Sequence, residues 1–227
     1  GPPPGPAWER GAPGLRAYAA LASNRSFVTR TLAMAAMTFG MGALAVWMPT
    51  FFIRRWEMNP AQAGTIFGGV LAGTGIVGSF AGGWLADWAL SRDSRAYFLV
   101  SGVGLLLAFP LGAASLAVDS LPLSIAAIAL AEVCAFLNMG PLNALIVSVV
   151  PARLRSMAFA ANIFIIHALG DAASPALVGA ASDRWGLTAA LIWATTALGL
   201  SGLLCLWGMR YYDADARRVL EEEGARA

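Results

Sequence analysis

The sequence contains no lysine, and only 12% of its 227 residues are charged. A soluble domain carries about 25% charged residues, so this composition excludes an ordinary soluble fold. All 15 basic residues are arginine, and a net charge of +2 is too small to favour nucleic acid as a partner. Histidine occurs once, and the two cysteines, Cys134 and Cys205, lie in apolar runs without metal-type or disulfide spacing. We therefore expect no metal ion, no cofactor and no nucleic acid.

Hydrophobic residues make up 58% of the chain, and they form apolar runs that recur along its length. A helix needs about 20 such residues to cross the hydrocarbon core of a bilayer. The sequence therefore predicts an all-α membrane protein with six transmembrane helices. The predicted spans are 31–53, 61–86, 96–118, 121–150, 156–181 and 187–209. Residues 1–25 are predicted to form a cytoplasmic linker, 26–210 the six-helix bundle and 211–227 a charged cytoplasmic tail. The tail is interpreted as a solvated end, with a short surface helix as the alternative.

The arginines are distributed unevenly between the two sides that six spans would create. Twelve lie in the terminal segments and in the second and fourth loops: Arg10, Arg16, Arg25, Arg30, Arg92, Arg95, Arg153, Arg155, Arg210, Arg217, Arg218 and Arg226. Three lie on the other side: Arg54, Arg55 and Arg184. The positive-inside rule places both termini in the cytoplasm. We expect an integral, multi-pass membrane protein, which in a bacterium would lie in the inner (plasma) membrane.

Three pairs of glycines in the second span are spaced four residues apart, a spacing that lets helix backbones approach closely. They are Gly64 and Gly68, Gly69 and Gly73, and Gly78 and Gly82. This pattern is compatible with static close packing and with a helix that slides against its neighbour.

A loop pattern follows this span: Gly83 and Asp87 near the helix end, then Arg92 and Arg95. Positive-inside anchoring alone accounts for the two arginines but not for the aspartate. The pattern resembles the loop signature of the major facilitator superfamily, although Trp88 stands where a basic residue is common. The resemblance implies a cytoplasmic gate loop between the second and third helices of a six-helix half.

The fourth span contains polar residues beside a predicted helix break. Glu132 and Asn143 are eleven residues apart, close to three helical turns, and so share one face, with Asn138 between them. A carboxylate within hydrocarbon is expensive unless it faces protein or water. Gly140 and Pro141 predict a bend, because proline has no N–H to complete the helical ladder. The two amides serve equally well as bonds between helices, whereas Glu132 favours a functional site.

The fifth span carries the single histidine in the stretch NIFIIHALGDAASP. His167 and Asp171 are four residues apart and therefore share a helix face, which Ser174 extends. Pro175 leaves the carbonyl of Asp171 without its helical partner. A histidine changes charge near neutral pH, so the pair suits a proton or substrate site, shared with Glu132 at mid-membrane depth. The alternative is a structural hydrogen bond that ties helices together.

Three stretches together resemble the C-terminal half of the spinster-like branch of the major facilitator superfamily: NRSFV, AEVCAFLNMGPLNALIVSVVP and NIFIIHALGDAASPALVGAASDR. The resemblance implies one half of a 12-helix fold, which packs against an N-terminal six-helix half. It also implies transport of lysophospholipids or sphingoid phosphates, often linked to protons. The residues that match the branch are Glu132, Asn138, Gly140, Pro141, Asn143, His167, Gly170, Asp171, Ser174 and Pro175.

The expected function is therefore secondary active transport of a small amphiphile by alternating access, in contact with membrane lipid and with no catalytic residue. The alternative is transport of another small organic anion or a drug. An intramembrane hydrolase would need a serine nucleophile near His167, and Ser79 in GIVGSFAGG lacks the required GxSG setting. A passive channel or membrane scaffold fits the close glycine packing but does not require the His–Asp pair.

Overall fold

A computed structural model describes residues 15–225, and nearly all of them are helical. The elements in chain order are α1 (Leu15–Ser23), α2 (Arg25–Trp56), α3 (Pro60–Leu90), α4 (Ala96–Ala117), α5 (Leu121–Phe136), α6 (Met139–Val149), a 3₁₀ turn (Ala152–Leu154), α7 (Arg155–Ile166), a π-helical turn (His167–Asp171), α8 (Ser174–Trp185) and α9 (Leu187–Gly224).

Six segments are long and apolar enough to cross a membrane, which confirms the prediction of an all-α, six-span protein. They are α2, α3, α4, α5 with α6, the stretch from Ala152 to Trp185, and α9. Two of these spans are interrupted within their length, the fourth between α5 and α6 and the fifth at the π-helical turn. Both interruptions lie at the polar residues singled out in the sequence.

Short polar signals begin and end the long helices. The side chain of Asn24 accepts a hydrogen bond from the Phe27 amide at 2.8 Å, and Asn59 caps α3 in the same way through Gln62. Such caps satisfy backbone donors that have no partner in the first turn of a helix. Gly186 separates α8 from α9 with a φ of 81°, a value that glycine adopts without strain.

The bundle is built around α9, which packs against α2 and α4, while α5 packs against α4 and α3. The Ser201 hydroxyl on α9 donates to the Ala33 carbonyl on α2 at 2.5 Å. A Cβ at Gly202 would lie 2.8 Å from the Gly102 carbonyl oxygen on α4, so this glycine allows the two backbones to touch. Leu105, Leu191 and other fully buried apolar side chains fill the space between these helices.

The described parts of the two terminal segments are mostly helical. Residues 1–14 of the linker, which include Arg10, lie outside the described part, but Leu15–Ser23 forms α1. The predicted tail continues α9 without a break as far as Gly224, and residues 226–227 with Arg226 lie outside the described part. Burial of Asp215 and Val219 explains this continuation, because the extended helix packs against the rest of the chain.

Hydrogen bonds gather the ends of several elements at one end of the bundle, called here the arginine-rich end. Asp215 of α9 accepts from the Ser26 amide at the start of α2, at 2.9 Å. Asp213 accepts from Ser94 in the loop between α3 and α4, at 2.7 Å. Glu222 pairs with Arg153 in the loop after α6, at 3.0 Å. The extended part of α9 therefore contacts the start of α2 and both loops at this end.

Candidate functional site

The single histidine forms a hydrogen-bonded pair with Asp171 within the π-helical turn. Nδ1 of His167 lies 2.9 Å and 3.0 Å from the two carboxylate oxygens. The two side chains are 58% and 39% exposed, and Phe164, one turn earlier, is 73% exposed. A polar pair and an apolar ring are thus open to the surroundings on one side of a membrane segment. π-helical turns of this kind occur frequently at functional sites.

An irregular backbone and a close contact with α2 determine the position of His167 and Asp171. The helix is interrupted at Gly170, which has φ −95° and ψ −105°, and the Ala172 amide donates to the His167 carbonyl at 3.1 Å. Pro175 begins the next helix, and the Trp47 indole donates to its carbonyl at 3.0 Å. A Cβ at Gly42 of α2 would lie 2.8 Å from the Asp171 Cβ, so only glycine fits at this crossing.

The fourth span breaks one turn before Pro141. The last residue of α5 is Phe136 and the first of α6 is Met139, so Leu137 and Asn138 form the break. Proline has no N–H, so the Leu137 carbonyl lacks its partner four residues later. The Asn138 side chain is buried and donates to the Ala135 carbonyl, and its Oδ1 has no hydrogen-bond partner among the described residues.

Glu132 is buried between α3 and α5, with 1% of its surface exposed. Thr74 of α3 donates to its Oε2 at 2.8 Å, and its Oε1 has no partner among residues 15–225. A buried polar atom normally has a hydrogen-bond partner, so the open oxygen is a place for a proton or for a donor group of a ligand. The sequence analysis missed Thr74, because a threonine in a glycine-rich span gives no signal of its own.

The structure does not bring Glu132 and the His–Asp pair into one hydrogen-bonded site. Glu132 bonds across to α3, whereas His167 and Asp171 lie against α2. No hydrogen bond among residues 15–225 connects the two groups. Ser174 is fully buried and its hydroxyl is unpartnered within the described part, so it does not extend the exposed stripe. The described residues thus form two hydrogen-bonded groups, and a cavity shared by Glu132 and the His–Asp pair stays a prediction.

Arg30 is buried, although the positive-inside rule was applied to it as one of the arginines at the cytoplasmic edge of the membrane. Its Nε donates to the Leu142 carbonyl at 2.7 Å, and one Nη donates to Asn143 Oδ1 at 3.1 Å. Its other Nη is unpartnered, and no carboxylate pairs with it among the described residues. Arg30 therefore joins α2 to α6, the part of the fourth span that follows the break, and Asn143 acts as its acceptor.

The ion pair of the predicted gate loop does not involve Asp87 among the described residues. Asp87 is exposed and forms no ion pair within residues 15–225, while the guanidinium of Arg92 lies 4.0 Å from the Trp88 ring. Arg95 pairs instead with Asp93, at 3.0 Å, and this hydrogen bond lowers the pKa of the Asp93 carboxyl. Asp93, the carboxylate that pairs with Arg95 in this loop, was not among the predicted residues.

The glycines of α3 fall into two groups. A Cβ at Gly78 would lie 2.6 Å from the Phe136 Cβ, and one at Gly82 would overlap the Leu137 carbonyl. A Cβ at Gly64, Gly68, Gly69, Gly73 or Gly83 would meet nothing within 4 Å. Among residues 15–225, only the last of the three glycine pairs therefore serves close packing, and it packs against the end of α5 and the break in the fourth span.

Comparisons with known proteins agree with this fold. The family model of the Major Facilitator Superfamily matches residues 1–175. The chain is 36% identical over 200 residues to protein spinster homolog 3 of Danio rerio, covering 82% of this chain and 40% of that protein. It is 32% identical over 212 residues to the sphingosine-1-phosphate transporter SPNS2 of Mus musculus, covering 84% and 38%. The chain thus spans about two fifths of the length of these relatives.

A solved structure shows the same fold at lower sequence identity. It is the crystal structure of a bacterial homologue of the human lysosomal transporter spinster, in an inward-facing and unoccupied conformation. The match has a TM-score of 0.67 and 18% identity, and it covers 96% of this chain and 53% of that one. From the family match, the similar relatives and the shared fold together, the chain belongs to the Major Facilitator Superfamily and is spinster-like within it.

Proposed function

We propose that the chain is the C-terminal six-helix half of a secondary active transporter that moves a lysophospholipid or sphingoid-phosphate-like amphiphile by alternating access. The observation that carries this proposal is the exposed His167–Asp171 pair in the fifth span. An ionisable pair facing hydrocarbon is strongly unfavourable, so its open side belongs against water or protein. An N-terminal six-helix half on this side would enclose a polar cavity between the halves.

The neighbourhood of the pair suits an amphiphile. Phe164 precedes His167 by three residues and is widely exposed on the same side of the segment. A site of this kind offers a polar group to a headgroup and an aromatic ring to a hydrocarbon tail. The relative named as a sphingosine-1-phosphate transporter supports this substrate class. Another organic anion or a drug remains the alternative substrate, and the polar pair alone accommodates either.

Proton coupling is the second element of the proposal. Histidine exchanges protons near neutral pH, and the carboxylate of Asp171 holds its Nδ1 in place. Glu132, with one buried oxygen unpartnered in the described residues, offers a separate position for a proton or for a substrate donor. Glu132 belongs to α5 and its carboxylate is hydrogen-bonded to Thr74 of α3. Protonation of this carboxylate, or its binding to a substrate, would therefore alter the packing of α5 against α3.

The positive-inside rule supports a cytoplasmic location for the arginine-rich end and hence for both chain termini. Because Arg30 is buried, it no longer counts as a cytoplasmic arginine, but the excess of arginines on the cytoplasmic side remains. A hydrolase is disfavoured, because no hydrogen bond within residues 15–225 joins Ser79 to His167. A scaffold would not need an exposed ionisable pair in its fifth span.

The test is transport by the full-length protein in proteoliposomes, with a panel of lysolipids and an imposed pH gradient. We expect His167→Ala and Asp171→Asn to impair uptake while the variants remain folded. Asp183→Asn, the same carboxylate-to-amide change at an exposed position about three turns further along the fifth span, serves as the matched control. Normal uptake and a normal response to the pH gradient in both site variants would refute the proposed role of the pair. Absence of uptake of every lysolipid by the wild-type protein would refute the substrate class.

A further inference from the structure

Two arginines and two aromatic rings form a cluster where α2 begins and α9 leaves its apolar stretch. This cluster, called here the α2–α9 corner, consists of Arg25, Trp207, Arg210 and Tyr211. We propose that the α2–α9 corner binds the phosphate headgroup of an anionic membrane phospholipid. This site is separate from the transported substrate, and the proposal does not depend on which substrate the protein moves.

The four side chains are stacked in sequence. The Arg210 guanidinium lies 5.8 Å from the centre of the Trp207 ring, and the Trp207 and Tyr211 rings lie 5.8 Å apart, edge to face. The Arg25 guanidinium lies 5.3 Å from the centre of the Tyr211 ring. A guanidinium stacked on an aromatic face keeps its N–H groups available in the ring plane for an oxyanion.

The positive charge of the corner is not neutralised within the described part of the chain. Neither Arg25 nor Arg210 has a carboxylate within 4 Å among residues 15–225. Nearby arginines at the same end do have one, as Arg153 does in Glu222. The next carboxylate along α9, Asp213, accepts a hydrogen bond from Ser94. Two exposed guanidinium groups thus flank the pair of rings, and neither has a carboxylate within 4 Å in the described part of the chain.

The surface of α9 next to the corner is apolar and suits the acyl chains of a lipid. Leu200, Leu203 and Trp207 are exposed and are spaced three and four residues apart, so they form one stripe on the helix. From Trp207 to Leu200 the stripe runs about 10 Å along α9, away from the charged end. An aromatic ring at the boundary between an apolar stripe and arginines is typical of the membrane–water interface.

The position of the two arginines at the end of the apolar stripe, together with their positive charge, favours an anionic phospholipid as the ligand of the α2–α9 corner. A phosphate at the level of Arg210 would place its glycerol and acyl chains along the apolar stripe. A free phosphate would leave the stripe unused, and a zwitterionic lipid would bring a second, positive group to two arginines. Arginine binds phosphate through paired N–H groups, and two arginines suit a phosphodiester that has no positive group beside it, as in phosphatidylglycerol.

Native mass spectrometry of the full-length protein tests this proposal, with phosphatidylglycerol and phosphatidylcholine of identical acyl chains as probes. We expect the wild type to retain phosphatidylglycerol preferentially. A basic residue near an anionic surface contributes about 1 kcal/mol, so Arg25→Gln and Arg210→Gln should each weaken phosphatidylglycerol binding about fivefold and leave phosphatidylcholine unchanged. Arg210→Lys should retain most of the preference, because it keeps the charge.

Two controls separate the corner from other sites. Arg217→Gln removes an exposed arginine two turns further along α9 and should leave the preference intact. His167→Ala alters the proposed substrate site and should also leave it intact. Equal retention of the two lipids by the wild type would overturn the proposal. So would a preference that disappears in His167→Ala but persists in Arg25→Gln and Arg210→Gln, since the lipid would then occupy the cavity.

Discussion

Replacement of Gly82 by alanine should destabilise the bundle far more than the same change at Gly73. A Cβ at Gly82 would lie 2.6 Å from the carbonyl carbon and from the Cα of Leu137, and it would overlap the carbonyl oxygen. Since carbon atoms pack best at about 3.5–4.0 Å, α3 and the break in the fourth span would have to separate by roughly 1 Å. A backbone group cannot rotate away as a flexible side chain does.

The cost of this separation follows from the packing of protein interiors. Inserting an extra methyl group into a packed core costs about 1–3 kcal/mol. A Cβ at Gly73 on the same helix meets nothing within 4 Å, and both changes gain the same helix propensity. The difference between the two variants therefore isolates the steric effect.

The assay is thermal unfolding of the two purified variants in the same detergent. At about 2–4 °C per kcal/mol for a chain of this size, Gly82→Ala should melt at least a few degrees below Gly73→Ala. Equal melting temperatures would refute the close contact between α3 and the break in the fourth span.

Three further predictions concern the helix ends and the buried arginine. Arg30→Ala should lower the free energy of unfolding by about 2–4 kcal/mol, because it leaves Asn143 Oδ1 without its donor and opens a cavity. An unchanged melting curve would contradict the burial of Arg30. Asp215→Ala should lower the free energy of unfolding by about 1–2 kcal/mol, because the buried Ser26 amide at the start of α2 loses its acceptor. Asp213→Ala removes an exposed hydrogen bond and should lower it by less than about 0.5 kcal/mol. Equal losses in chemical denaturation would contradict this difference. The hydrogen bond from Arg95 lowers the pKa of Asp93, so the wild type should be more stable than Asp93→Asn at neutral pH. This difference should start to shrink as the pH falls below about 4 and should vanish below the lowered pKa, and a difference independent of pH would rule out the ion pair as its source.

Composition and spacing predict much of this architecture. The six spans follow from the length of the apolar runs, since each must cover the hydrocarbon thickness. The break in the fourth span lies one turn before Pro141, where a missing N–H removes a helical bond. The spacing of His167 and Asp171 places them on one face, where the structure shows their hydrogen bond.

The rotation of each helix about its own axis is much harder to predict. These spans are apolar on all sides, so no polar face indicates which residues point inward. The burial of Arg30, the bond between Thr74 and Glu132, and the separation of Glu132 from the His–Asp pair all depend on this rotation. The docking of the extended α9 was missed for another reason: Asp215 and Val219 lie in a segment whose charged composition is typical of a solvated tail.

Water accessibility of the fifth span tests the central claim most directly. The full-length protein without its native cysteines would carry either His167→Cys or Leu200→Cys, two positions of similar exposure in this chain. A membrane-impermeant thiol reagent should label the cysteine at 167 and should not label the cysteine at 200 on the apolar stripe of α9. Equal lack of labelling at both positions would contradict the account, because the His–Asp pair would then face lipid or packed protein and not a water-filled cavity.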